Sequence, residues 1–156
     1  MTLLSRKHNY NTFFKMFYLG YAVLMLVSYS AYAWMDHHRM NLSQKWLQKS
    51  ILRPDDIAII HQNGQRSEML QLTFLAIFLI AMCIILIWFR NNRVGQFVFF
   101  IANAILFIVI IIGGYIFSLN SSSSIGNLFE PLITPTCTLI GLLFYLLLVR
   151  KRKANV

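Results

Sequence analysis

One polar segment of the chain carries six side chains of the types that bind transition metals. They are Asp36, His37, His38, Asp55, Asp56 and His61. Imidazole nitrogens and carboxylate oxygens are common ligands of Zn²⁺ and Cu²⁺. However, their spacing enforces no coordination geometry, and the side chains of adjacent histidines diverge. We therefore interpret them as polar residues that border apolar segments, and we expect no metal site, no cofactor and no catalytic site.

The segments around these residues are four long apolar runs without a single Asp, Glu, Lys, Arg or His. The runs are Met16–Met35, Met69–Phe89, Val94–Leu119 and Leu132–Val149. Each is close to the roughly 20 residues that a helix needs to cross about 30 Å of hydrocarbon. The sequence therefore predicts an all-α, polytopic membrane protein that forms a single domain of four transmembrane helices. Pumps and intramembrane proteases place ionisable groups at depth, so the uncharged runs argue against an enzyme.

The charged residues are distributed unequally between the segments that flank the runs. Segments 1–15, 90–93 and 150–156 hold nine Lys and Arg residues and no acid, whereas 36–68 and 120–131 hold all five acids and five bases. By the positive-inside rule, this bias predicts a multi-pass membrane protein with both termini in the cytoplasm. The basic groups are suited to anionic lipid headgroups or a soluble partner rather than to nucleic acid. They include Arg90, Arg93, Arg150, Lys151, Arg152 and Lys153.

The segment 36–68 carries its own amphipathic pattern. Leu42, Trp46, Leu47 and Ile51 recur at helical spacing. A helix of this kind, beside a transmembrane span and containing Trp, commonly lies in the headgroup plane. We predict such an interfacial helix, ended by Pro54, and a turn at Asn63-Gly64 before the second span. Its role is either a linker on the lipid surface or a recognition surface.

Small and polar residues indicate how the helices pack. Asn103 is an amide within an apolar run, and it predicts an interhelical hydrogen bond or, alternatively, a ring around an oligomeric pore. Thr134 with Thr138, and Cys137 with Gly141, form small-xxx-small pairs that favour close helix approach and a homo-oligomer. Cys137 and Cys83 differ in predicted depth by about 12 Å, too far for a disulfide.

Two further patterns concern the ends of the helices. The short hinge Arg90–Arg93 predicts that helices two and three form an antiparallel hairpin. Aromatic residues cluster at both ends of the first run, which is typical of side chains that anchor a helix at the membrane interface. They are Phe13, Phe14, Phe17, Tyr18 and Tyr21 at one end and Tyr29, Tyr32 and Trp34 at the other.

The arrangement as a whole resembles two groups of small bacterial inner-membrane proteins. It rests on the 36–68 segment, the Arg90–Arg93 hinge and the Arg150–Lys153 tail. One group is the immunity proteins against pore-forming colicins, and the other is the four-span membrane subunit of the Kiwa anti-phage system. The resemblance implies four spans, both ends inside and, for the second group, a soluble cytoplasmic partner.

These observations lead to three hypotheses for the function. The first is a non-enzymatic, oligomeric membrane subunit that senses or anchors at the membrane and signals to a cytoplasmic partner in bacterial defence. The alternatives are an immunity protein against a pore-forming bacteriocin and a small homo-oligomeric channel. The first predicts sensitivity to the charge of the tail, the second predicts sensitivity in the helices and segment 36–68, and the third predicts conductance from the purified protein.

Overall fold

The computed structural model describes the backbone of residues 3–49, 51–89 and 93–154, and the side chains of 12–49, 51–89 and 94–145. Within these ranges the chain forms four α-helices. They are α1 (Leu3–Leu47), α2 (Pro54–Trp88), α3 (Arg93–Leu119) and α4 (Ile125–Ala154). All four are long and apolar enough to cross a membrane. This confirms the predicted fold class.

Contacts between the helices define an up-and-down arrangement. The ring of Phe14 in α1 lies 5.4 Å from that of Phe89 beside the end of α2, and Tyr29 in α1 lies 6.1 Å from Phe74. Increasing numbers in α1 therefore match decreasing numbers in α2, so the two helices are antiparallel. Tyr18 contacts Ala102, and His37 contacts Phe117, so α3 runs parallel to α1.

The arrangement gives the molecule two chemically different ends. The basic end comprises the start of α1, the end of α2, the start of α3 and the end of α4. The acidic end comprises the connections 48–53 and 120–124 with the adjoining helix ends, and it holds all five acidic residues. The first residues of α1 and the last residues of α4 thus lie at the same end, as an even number of spans requires.

Large aromatic side chains fill the core between the helices. Phe74 and Phe78 of α2, with Phe99 and Phe100 of α3, are almost completely buried. The Phe78 and Phe107 rings lie 5.8 Å apart, and tilted aromatic pairs of this kind contribute about 0.5–1.5 kcal/mol beyond their area. Tyr21, Tyr29 and Tyr32 also point inwards. The predicted aromatic anchors are therefore partly core residues.

The structure corrects the prediction of a separate interfacial helix. Leu42, Trp46 and Leu47 belong to the last turns of α1, and Ile51 lies in the connection after it. No proline or glycine occurs between Met35 and Leu47, so α1 meets no helix-breaking residue as it leaves its apolar run.

Pro54 begins α2 instead of ending the preceding helix. Proline is well suited to the first helical position because the missing N–H would lack an intrahelical acceptor there. The Asp56 carboxylate accepts hydrogen bonds from the Arg53 backbone N–H at 3.1 Å and from Lys49 Nζ at 2.7 Å. These bonds close the connection between α1 and α2. Asn63 and Gly64 lie inside α2, so the predicted turn at these residues is wrong.

As a result, α1 and α2 continue beyond their apolar runs as a projecting helical hairpin, formed by residues 36–68. At 1.5 Å per residue, Asp36–Leu47 adds about 18 Å and Pro54–Glu68 about 22 Å. In the predicted hairpin of α2 and α3, the two helices contact each other much less than α1 and α2 do, although a short connection joins them. Each packs mainly against another helix, α2 against α1 and α3 against α4.

Candidate functional site

The candidate site is a polar network at the acidic end, where the base of the projecting hairpin meets α4 and the 120–124 connection. Its centre is Asp36, whose side chain is 0% exposed. Arg39 Nη2 donates to Asp36 Oδ1 at 2.8 Å, and Asn127 Nδ2 donates to the same oxygen at 3.2 Å. A buried carboxylate requires such partners, because an uncompensated charge in this position costs about 3–5 kcal/mol.

The network is incompletely satisfied. Oδ2 of Asp36 and Oγ of Ser123 are buried and have no hydrogen-bond partner within the described part of the chain. Both neighbours of Ser123 in the chain bond to helices of the network. The backbone N–H of Ser122 donates to His37 in α1, and Oγ of Ser124 accepts from the backbone N–H of Asn127 in α4. The two unpaired oxygens make this region more polar than a packed core.

A second part of the network joins α1 to the 120–124 connection. The backbone N–H of Ser122 donates to Nδ1 of His37 at 3.1 Å. The Asn41 side-chain amide lies 2.9 Å from Nε2 of His37 and 2.6 Å from Oγ of Ser122. Phe117 of α3 packs edge-on against the imidazole, with 5.9 Å between the ring centroids. His37 is thus a half-buried connector of three elements.

Two tyrosines of α1 secure the first turns of α4. Pro131 has no N–H, so the carbonyl of Asn127, four residues earlier, loses its intrahelical donor. The Tyr32 hydroxyl donates to this carbonyl at 2.8 Å. One turn deeper, the Tyr29 hydroxyl donates to the carbonyl of Leu128 at 3.1 Å. The proline inside α4 is therefore compensated by a side chain from another helix.

Asn103 forms the predicted interhelical hydrogen bond within a single copy of the chain. Its Oδ1 accepts from the Tyr21 hydroxyl at 2.6 Å, and its Nδ2 donates to the Phe99 carbonyl at 2.9 Å. The side chain is completely buried. A pore-lining ring of Asn103 between copies would require this packing to open, so the structure disfavours that alternative.

The His and Asp side chains of the types that bind metals do not converge on one point in the structure. In the described part of the chain, no group of three or more His, Cys, Asp or Glu side chains could hold a metal ion. Asp36 and His37 belong to the network above. His38 stacks on Trp34 at 5.9 Å, and His61 bonds to Gln65 within α2 at 3.1 Å.

The small-residue face of α4 points away from the rest of the chain. Thr134, Cys137 and Gly141 are exposed, and Thr138 is partly buried. A β-carbon added at Gly141 would meet no atom within 4 Å. Both cysteines are free and exposed. Association of copies through this face remains a prediction.

Apolar side chains are exposed at the tip of the projecting hairpin. Leu47 is 83% exposed and Ile51 is 80% exposed. Between the two helix ends lies a groove of about 450 Å³, with Met40, Trp46 and Ile60 among its lining residues. The predicted amphipathic residues therefore contribute to the surface of the hairpin rather than to a helix lying flat.

The basic residues predicted to contact lipid or a partner fall outside the described side chains. They are Arg90, Arg93, Arg150, Lys151, Arg152 and Lys153.

Comparison of the chain with protein-family models, curated proteins and solved structures gives no match.

Proposed function

We propose that this protein is a non-enzymatic subunit of the bacterial inner membrane that senses a disturbance at its acidic end and signals to a soluble cytoplasmic protein at its basic end. The observation that carries the proposal is the continuity of α1. One helix of 45 residues extends from the basic end through the bundle to the tip of the projecting hairpin. A force on the hairpin is therefore transmitted along a single rigid element.

The surfaces at the two ends suit this division of roles. The hairpin presents Leu47 and Ile51 beyond the apolar runs, where exposed apolar side chains favour binding of another molecule. The basic end carries nine Lys and Arg residues without an acid, which favours anionic lipids and acidic protein surfaces. The apolar runs contain no Asp, Glu, Lys, Arg or His, so the proposal assigns the chain no enzymatic activity or cofactor.

The proposed context is bacterial defence, with the chain acting as a homo-oligomer. The context follows from the resemblance to the membrane subunit of the Kiwa anti-phage system, which also has four spans. The exposed small-residue face of α4 supports association of copies. This proposal includes no direct contact with nucleic acid.

Topology is the first test of the proposal. Reporter fusions at Arg90 and Val156 are expected to report the cytoplasm, and fusions at Asn63 and Ser122 the periplasm. A periplasmic C-terminus would contradict the assignment of signalling to the basic end.

The second test concerns the tail. Replacing Arg150 and Arg152 by Lys preserves the charge but removes the bidentate geometry with which Arg binds carboxylates. We expect less co-purification of a soluble partner, with membrane insertion unchanged. The matched control is Arg66→Lys, the same exchange at an exposed position of the acidic end. Equal recovery of every co-purifying protein from both variants would rule out an Arg-specific docking site.

The exposed hairpin also favours a second candidate, an immunity protein that binds a pore-forming bacteriocin. In that case Leu47→Gln and Ile51→Gln would sensitise producing cells to the toxin, whereas the Arg-to-Lys exchange in the tail would not. Protection that depends on the tail alone would contradict this candidate. A channel is the third possibility, and ion flux through vesicles that contain only the purified protein would support it.

A further inference from the structure

The hydrogen bonds of His37 define its protonation state. A backbone N–H can only donate, so Nδ1 of His37 must accept the bond from Ser122 and carry no proton. The proton of the neutral imidazole is then on Nε2. In the structure, Nε2 faces Nδ2 of the Asn41 amide at 2.9 Å. A protonated Nε2 can only donate, so we assign the Asn41 amide with its nitrogen and oxygen exchanged, which places Oδ1 at this contact.

With this orientation, the three residues close a complete ring. Ser122 donates its N–H to Nδ1 of His37, and His37 donates Nε2–H to Oδ1 of Asn41. The exchanged Nδ2 of Asn41 then occupies the position 2.6 Å from Oγ of Ser122 at which the unexchanged amide oxygen accepts from the Ser122 hydroxyl. Both ring nitrogens of His37 then have a partner of the matching kind. The ring exists only while His37 is neutral, because a second proton would be on Nδ1 and would oppose the N–H of Ser122.

We propose that this ring is an acid-released latch, which holds the 120–124 connection against α1 while His37 is neutral and releases it when His37 is protonated. Histidine is the side chain that normally changes charge between about pH 5 and pH 8. His37 is partly exposed, so protons from the adjoining aqueous phase can reach it. Two opposed donors at hydrogen-bond distance lose the bond and repel each other, which favours separation of the two segments.

The charged and titratable groups around His37 take no part in the ring. On α1, Asp36 is buried, with Oδ1 paired with Arg39 and Oδ2 without a partner in the described part of the chain, and His38 is exposed and stacks on Trp34. The 120–124 connection has no titratable side chain, and α3 contributes the Phe117 ring. The nearest charged residues of the other helices, Arg66 and Glu68 of α2 and Glu130 of α4, are exposed. The residues hydrogen-bonded to His37 in the described chain are Asn41 and Ser122, both uncharged.

Release of the connection would also affect α4. Ser124 caps the first turn of α4 by accepting from the Asn127 N–H at 3.2 Å, and Asn127 donates to Asp36. The latch therefore controls how firmly the start of α4 is held to the base of the hairpin. The inference goes beyond the proposed function, because it requires only that the acidic end is exposed to a change in pH.

The test is a distance measurement between α1 and the connection. Spin labels are placed at positions 44 and 120, both exposed, in a Cys83→Ala, Cys137→Ala background. Pulsed electron paramagnetic resonance of the protein in nanodiscs is recorded between about pH 8 and pH 5. We expect one narrow distance at the higher pH and a second, longer distance at the lower pH. Because the docked state binds one proton fewer, the docked-to-released ratio should fall about tenfold per pH unit once release begins.

Two variants assign the effect to His37. In His37→Asn, the side-chain oxygen takes the place of Nδ1 and cannot be protonated, so we expect the narrow distance at both pH values. His38→Asn, at the exposed neighbouring position, should retain the acid response of the parent. Persistence of the narrow distance at low pH in the parent protein would overturn the proposal, as would an acid response in His37→Asn equal to that of the parent.

A measurement on the unsubstituted protein covers the case in which His37→Asn does not fold. Nitrogen-15 NMR of histidine-labelled protein distinguishes the two neutral tautomers. We expect one histidine fixed with its proton on Nε2 at high pH, and conversion to the doubly protonated form as the longer distance appears. A mixture of tautomers for every histidine at high pH would contradict the closed ring.

Discussion

Two adjacent glycines in α3 provide a matched test of how α1 packs against α3. A β-carbon at Gly114 would overlap the hydroxyl of Tyr29, whereas a β-carbon at Gly113 would meet no atom within 4 Å. Gly114→Ala must therefore displace Tyr29, which also donates to the Leu128 carbonyl at 3.1 Å. Gly113→Ala needs no adjustment.

The expected magnitudes follow from these contacts. Overpacking costs about 1–3 kcal/mol, and loss of an interhelical hydrogen bond in a membrane adds about 0.6 kcal/mol. Alanine is favoured over glycine in a helix by about 1 kcal/mol, which offsets part of the cost. We expect Gly114→Ala to lower the free energy of unfolding by about 1–2 kcal/mol, and Gly113→Ala to raise it by up to about 1 kcal/mol.

The assay is reversible unfolding in mixed detergent micelles, followed by circular dichroism for both variants and the parent. Tyr29→Phe provides the decisive background, because it removes the overlapping hydroxyl and leaves the ring carbon 3.4 Å from the new β-carbon, an ordinary contact. In this background, the loss of unfolding free energy caused by Gly114→Ala should be smaller than in the parent by at least about 1 kcal/mol. Equal stabilities of the two alanine variants would refute this packing of α1 against α3. An effect of Gly114→Ala on stability that Tyr29→Phe leaves unchanged would refute it too.

Two further predictions concern α4. Tyr32→Phe should lower the free energy of unfolding by about 0.6–1.7 kcal/mol, because the carbonyl of Asn127 loses its donor. Pro131→Ala should remove most of that cost, because it restores a backbone N–H. A double-mutant cycle in the same unfolding assay that shows no coupling would contradict this compensation. Gly141→Leu should shift the protein towards smaller oligomers in mild detergent. Gly113→Leu should not, although Gly113 of α3 also faces open space, and it serves as the matched control. If light scattering gives the same mass for both variants, the small-residue face is not the interface.

The misinterpretation of segment 36–68 has a physical explanation. The spacing of Leu42, Trp46 and Leu47 is helical, and these residues are helical in the structure. The pattern does not reveal whether such a helix is separate from the preceding span or continuous with it. The absence of a helix breaker after Met35 was the available signal, as was Pro54-Asp55-Asp56, a common start of a helix.

The candidate site was only partly accessible from the sequence. Asn103 was identified because an amide in an apolar run requires a partner, and the structure supplies Tyr21. The roles of Asp36 and His37 were missed, since both resemble ordinary residues at the end of a span. Their partners, Asn127 and Ser122, are 91 and 85 residues away in the chain.

The sequence by itself determined the number of spans and the separation of a basic from an acidic end. Both properties depend on runs of neighbouring residues, because hydrocarbon excludes charge over the full length of a helix. Only the tertiary structure decided which polar groups near the membrane boundary are buried and what they bond to. Tyr32 satisfies the carbonyl that Pro131 leaves free, and this pairing requires α1 and α4 to meet at one particular rotation and depth. No local pattern encodes that geometry, because it results from the packing of all four helices at once.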